Sequence, residues 1–192
     1  MIRLEPALAS FPWLGQVLDA LPALDLPQAH VAAGAIAQTV WNHATGRPPG
    51  HGIADLDIVY FDPADLSAEA EQAADARARA AFPALPLRLD VKNQARVHLW
   101  YQRRFGRAID PYRSIAAAVA TYPTTATAIA VRREEGRLAG HAPFGLDDLL
   151  ALTIRPNHRL VTEAVYRAKA ARWQALWPEL RVLPWENGVV PA

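Results

Sequence analysis

Three aspartates stand out by type and spacing. Asp55 and Asp57 lie two residues apart in Gly52-Ile-Ala-Asp-Leu-Asp-Ile-Val-Tyr-Phe-Asp62, which alternates polar and apolar residues and then turns continuously apolar. That pattern predicts a strand, increasingly buried toward its end. Side chains two apart in a strand face the same way, so the two carboxylates stand about 6 to 7 Å apart. They repel, and they require solvent, a cation or a shared proton. Asp90 occupies an alternating position in a second predicted strand, Leu87-Arg-Leu-Asp-Val-Lys92. If the two strands pair side by side, three carboxylates converge on one spot. Oxygen-only ligands suit Mg²⁺ or Mn²⁺ rather than zinc. A helix N-terminus at Gly34, upstream, can present amides to an anionic tail, and together these parts suit a nucleoside triphosphate.

The elements that must position these residues follow from periodicity and punctuation. Apolar residues at three- and four-residue steps predict one amphipathic helix over residues 6–24. A second helix is expected over residues 28–43, with Gly34 and Ala35 near its start, stopped by Gly46-Arg-Pro-Pro-Gly50. After the first strand, Ser67 is the expected N-cap of a helix over residues 68–81, with Glu69 and Glu71 in its first turn and Arg77 and Arg79 in its last. After the second strand, Asn93 can cap a helix that ends at Gly106. Further on come a short helix over 114–122, a hairpin from 128–133 to 137–141 turning at Gly136, a short helix ending near 152, and a last amphipathic helix over 161–177. The chain therefore reads as α+β: a small mixed β-sheet flanked by helices. It is expected to form a single domain over 1–192, with a core of about 25–108 and a C-terminal extension of about 109–192.

Composition narrows the chemistry. The 192 residues carry 20 basic and 19 acidic side chains, a net charge of +1, and no cysteine. Thiolate nucleophiles and cysteine-bound zinc are excluded, and the charge balance supplies no extended nucleic-acid surface. No window approaches the ~18 apolar residues of a membrane span, and no leader is evident, so the chain is expected to be cytoplasmic. The histidines are scattered without metal-ligand spacing, and neither a Ser-His-Asp order nor a Walker-type loop is present. Lys92, two residues beyond Asp90, can meet phosphate oxygens or pair with an aspartate. Thr124, Thr125 and Thr127 precede a strand and can contact a base or ribose. Arg96 and His98 read as structural pins, and Trp41, Trp100, Trp173 and Trp177 as core. Asp147 and Asp148 open a short helix, where their charge suits its dipole.

These residues carry a resemblance. Gly34-Ala35, Asp55-Leu-Asp57 within Leu-Asp-Ile-Val-Tyr-Phe-Asp, Asp90-Val-Lys-Asn-Gln-Ala-Arg96 and Thr124-Thr-Ala-Thr-Ala-Ile-Ala-Val-Arg132 resemble the small bacterial nucleotidyltransferase family 6. That family, formerly a domain of unknown function, is a branch of the DNA polymerase β-like nucleotidyltransferase superfamily. The similarity runs from about residue 31 to residue 177. Its most specific blocks are Val-Lys-Asn-Gln-Ala-Arg-Val-His and Ala-Pro-Phe-Gly-Leu-Asp-Asp-Leu. The resemblance implies a polymerase β-like core and transfer of a nucleoside monophosphate from an NTP to an acceptor hydroxyl. It also implies that Asp55 and Asp57 hold two Mg²⁺ or Mn²⁺ ions, with Asp90 completing one and orienting the acceptor. Gly34, Ala35, Lys92 and Thr125 are the expected nucleotide contacts. The acceptor stays open among an RNA 3′ end, a protein hydroxyl and a small molecule. One departure is visible: Gly34 is followed by Ala35 where the superfamily places Gly or Ser, so a hydroxyl is missing. A nucleotide-binding or protein-interaction module without turnover is the alternative.

Overall fold

Proline shapes the beginning of the chain. In the computed structural model, which describes residues 1–189, the first helical region is two helices, α1 (Glu5–Ala9) and α2 (Pro12–Ala20), followed by a 3₁₀ turn over Leu21–Leu24. Phe11 is extended, with φ −118° and ψ 94°, because a residue preceding proline is driven out of the helical region. The single helix expected over 6–24 is thereby divided. A second departure bears on the site. Residues 28–43 are not one helix: His30–Ala32 form a strand, β1, and helix α3 (Gly34–Thr45) begins only after it.

The next elements follow expectation closely. Strand β2 (Asp55–Tyr60) leads to α4 (Ala68–Ala81), whose N-cap Ser67 accepts a hydrogen bond from the Ala70 amide at 3.2 Å. Strand β3 (Arg88–Asn93) ends at Asn93, whose side-chain oxygen accepts from the Ala95 amide at 3.1 Å. Helix α5 (Val97–Phe105) stops at Gly106. Beyond it lie α6 (Ile115–Val119), the hairpin β4 (Ala130–Glu134) and β5 (Arg137–His141), α7 (Asp147–Leu150), β6 (Thr153–Ile154), α8 (Glu163–Leu176) and β7 (Arg181–Val182).

Five strands form one mixed sheet in the order β3-β2-β1-β4-β5, and β6 pairs with β7 beside it. Only β2 and β3 run parallel in the large sheet; its other pairs are antiparallel. The period-two rule then sorts the side chains. Leu56, Ile58 and Tyr60 of β2 and Leu89 and Val91 of β3 face a core built with α2, α3, α4 and α8. Ala32, Val59 and Ala130 face the other side, where Ile115, Val119 and Phe61 cover part of the sheet. In the first core Trp41 is wedged between Trp173 and Trp177, with ring centroids 5.7 and 5.3 Å away. Trp100 is not in either core; it lies half-exposed on α5, next to exposed Leu99.

Candidate active site

The register of the sheet decides where the acids stand. Asp57 pairs with Asp90 across the parallel β2–β3 ladder, and Asp55 pairs with Arg88. Side chains in register on adjacent strands project to the same face, so Asp55, Asp57 and Asp90 share the face opposite the large core. On the other flank of Asp57, β1 places Ala32 directly beside it. Helix α3 starts two residues after Ala32, and no side chain caps its N-terminus. Its free amides therefore open close to the carboxylates.

Asp57 feels the charge of both other acids. Burial raises the Asp57 pKa to about 7, helped by Asp55 and then Asp90, while Lys169 and Arg88 pull it down. Each outer carboxylate has a basic partner from β3. Asp55 Oδ2 accepts from Arg88 Nη2 at 2.7 Å, and Asp90 Oδ1 lies 2.9 Å from Lys92 Nζ. As the side chains stand, no three acidic or imidazole groups among the described residues are gathered closely enough to enclose a metal ion. The face is shared, but the outer carboxylates are turned toward their partners. Both pairs are partly exposed, so the attraction to be broken in swinging either carboxylate inward is about 0–1 kcal/mol. The donor chemistry, three aspartates with surplus charge on the middle one, fits a hard divalent cation.

The other expected contacts divide. Gly34 is the first residue of α3, and a Cβ there would stand 2.9 Å from Gln38 Nε2. Ala35 follows in the first turn and is buried. Lys92 is committed to Asp90. Thr125 is buried, and its hydroxyl donates to Asp148 Oδ2 at 2.6 Å. Arg155 holds the same carboxylate at 2.8 Å, so the threonine hydroxyl serves an internal network rather than an open surface. Arg96 acts as a pin, donating to Glu71 at 2.6 Å and to the Leu66 carbonyl.

Two further residues are coupled electrostatically to Asp57 without any local signal in the sequence. Lys169, on α8, has its pKa lowered by burial and by Arg172, and supported by Asp57 and Asp55. Its ammonium lies 5.8 Å from the centre of the Trp173 ring. Tyr122 is pushed strongly upward by burial and then by the Asp57 charge, so it remains a neutral phenol.

The sequence profile of the nucleotidyltransferase family matches residues 19–182, from α2 to β7. The chain belongs to that family. This nucleotidyltransferase is also similar to a protein solved by NMR and described as revealing a CCA-adding enzyme head domain. The two share 27% identity over 94% of each chain, with a TM-score of 0.75. No curated protein matches the chain. Among the described residues no helix is long and apolar enough to cross a membrane.

The turn from β1 into α3 carries strain that the nucleotidyltransferase can be relieved of. Ala33 has φ 58° and ψ −126°, in a region that favours glycine. Such a conformation costs about 1–3 kcal/mol, and the added backbone entropy of an unfolded glycine costs about 0.4–1 kcal/mol. The strain exceeds the entropy. Ala33→Gly is therefore expected to raise the melting temperature by about 2–4 °C, which differential scanning calorimetry would measure. A lower melting temperature would show that the turn is not strained.

Proposed function

We propose that this nucleotidyltransferase moves a nucleoside monophosphate from an NTP to an acceptor hydroxyl on the face that carries Asp55, Asp57 and Asp90, with Mg²⁺ or Mn²⁺ required. The observation that carries the reading is the in-register Asp57–Asp90 pair beside the uncapped start of α3. In the reaction the acceptor oxygen bonds to the α-phosphorus, the bond to the bridging oxygen breaks, and pyrophosphate leaves with that electron pair. Two divalent cations held by the three aspartates would supply charge neutralisation for the phosphates. Asp90, at the outer strand, is placed to orient the acceptor hydroxyl and take its proton. The amides of Gly34 and Ala35 receive triphosphate oxygens. Alanine offers no hydroxyl there, so backbone donors alone serve that end.

Lys169 supplies the positive charge that the motif lacks. Burial lowers its pKa and the charges of Asp57 and Asp55 support its ammonium, a setting in which a cation acts strongly on a bound phosphate. Lys169→Met is expected to lower kcat/KM for the NTP about 10- to 100-fold. The acidic limb of the pH profile should also move to higher pH, because the lysine lowers the Asp57 pKa and its loss raises it. An unaltered pH profile and unaltered kcat/KM would remove Lys169 from the site.

Binding without turnover is favoured by one observation, the pairing of Asp55 and Asp90 with Arg88 and Lys92. Thermal melting separates the readings. A cation that binds only the folded chain stabilises it by RT ln(1 + [M]/Kd), about 1.4 kcal/mol at ten times Kd, or about 3–5 °C here. Wild type should show a reduced shift with millimolar Mn²⁺, Lys92→Ala a larger one, and Asp57→Asn none. Equal responses in all three would mean that the cation binds elsewhere. NTP binding with no labelled product in any acceptor mixture would favour the module without turnover.

A further inference from the structure

We infer that α5 and the loop after it form a docking surface for the 3′ end of a single-stranded nucleic acid, which would be the acceptor; this rests on the reaction site proposed above. Helix α5 is poorly covered, with Val97 its only buried residue. Its remaining apolar groups are exposed or half-buried. Leu99 is 56% and Phe105 54% exposed, and Trp100 and Tyr101 are half-buried. The three rings lie together, with Tyr101 and Phe105 centroids 4.6 Å apart and Trp100 within 6.2 and 6.4 Å of them. Such a cluster is costly to leave in water and offers flat faces on which any base can stack.

Cations surround the rings. One cleft of about 300 Å³ runs from Lys92 and Arg96, which pair with Asp90 and with Glu71 in the cleft wall, past Trp100 to Arg103 and Arg104. A second, of about 520 Å³, is lined by Arg107, Arg113 and Arg159 with Asp110 as its one acid. Arg104 also reaches over the Phe105 ring, 5.6 Å from its centre. The sequence has no long basic run, yet the fold gathers these arginines around one short helix. Alternating arginines and aromatic faces suit a phosphate chain with unpaired bases; a protein interface can share aromatic and arginine residues but has a core depleted of charge, so the concentration of charge of one sign favours the phosphate chain. Position argues the same way. Lys92 lines the first cleft and lies 2.9 Å from Asp90, so a strand stacked on Trp100 would bring its terminal hydroxyl toward the carboxylate assigned to the acceptor.

Fluorescence anisotropy with 5′-labelled 12-nucleotide RNA and DNA single strands, free at the 3′ end, tests the inference without requiring turnover. Wild type should bind, with a log–log salt slope of about −2 to −3.5, corresponding to three to five phosphates. Trp100→Ala should weaken binding about tenfold or more, and the double variant Arg103→Ala/Arg104→Ala should flatten the salt slope. Both should keep the Mg²⁺-dependent binding of NTP measured by calorimetry. These side chains are exposed or half-exposed, so the variants should fold, which circular dichroism would check. No binding of any single strand at 100 µM concentration (about the weak end of non-specific affinity) would overturn the inference. So would binding indifferent to these variants, or a dimer that Phe105→Glu dissociates, which would make α5 an interface between copies of this chain. If the strands bind through α5 but are never extended, docking stands and the reaction site fails. If another acceptor is labelled at full rate by the α5 variants, docking fails and the reaction site stands.

Discussion

Asp57→Asn is expected to lower nucleotidyl transfer about a thousandfold or more while making the cation-free protein more stable. The two effects have one origin. Asp57 sits between Asp55 and Asp90 in a half-buried position, and burial with that repulsion holds its pKa at about 7, against 3.8 for the free side chain. A group whose folded pKa is raised binds its proton more tightly when folded, so its ionisation works against the fold. Stability is unaffected below about pH 4, is lost progressively as pH rises toward 7, and stays lost above that. An asparagine side chain never ionises and escapes the loss. The stabilisation should therefore be absent at pH 4 and full at pH 8. It is on the order of 2 kcal/mol once partial solvent screening is allowed for, or about 4–8 °C. Chemistry suffers because the same surplus charge is what attracts a cation, and losing that contribution costs several kcal/mol, about a thousandfold. Thermal melts of wild type and variant at pH 4, 6 and 8 check the first effect. A variant less stable than wild type at pH 8 would show that Asp57 is not held under repulsion.

The largest loss of stability is expected from Trp177→Ala. Trp177 is fully buried at the end of α8, packed edge-on against Trp41, and its indole nitrogen donates to Asn42 Oδ1 at 2.8 Å. The fit is tight enough to dictate the chain opposite: a Cβ on Gly52 would lie 2.5 Å from the Trp177 ring, and Gly52 also has φ +70°. Truncation removes the ring, leaves a cavity and strands the Asn42 oxygen. The cost should be about 3–5 kcal/mol, a fall of roughly 10 °C in melting temperature. It should also weaken catalysis in the fraction that remains folded, because Trp177 anchors the helix that carries Lys169. Urea unfolding measures the first effect, and a change under 1 kcal/mol would mean that the tryptophan cluster does not hold α8 in place.

Much of this arrangement is legible before any coordinates. Ser67 and the charges that follow it mark α4, because an N-cap and a matched dipole are local signals. The alternation around Asp57 and Asp90 marks β2 and β3. Strand β1 is hidden, since it is only three residues long within the apolar run His-Val-Ala-Ala-Gly-Ala-Ile-Ala, where Gly34 is the single turn residue and opens the helix. The turn is made instead by Ala33 in a glycine-like conformation, and sequence rules do not look for a strained alanine. Trp100 is read as core because helical spacing tells which residues share a face but not whether anything covers it. Thr125 looks available because hydroxyls are common at binding sites; its partner Asp148 comes from a different element. Lys169 carries no local mark at all. Its role depends on how α8 returns to the sheet, which is a tertiary fact.

Whether the face of Asp55, Asp57 and Asp90 performs cation-dependent nucleotidyl transfer can be measured by following label from each of the four α-³²P NTPs. The reaction would contain purified protein, Mn²⁺ and a cell extract as the source of acceptor, with Asp57→Asn and Asp90→Asn in parallel. Wild type should transfer label from at least one NTP in a cation-dependent way, and both variants should lose that transfer. Equal labelling by wild type and either variant would contradict a reaction on this face.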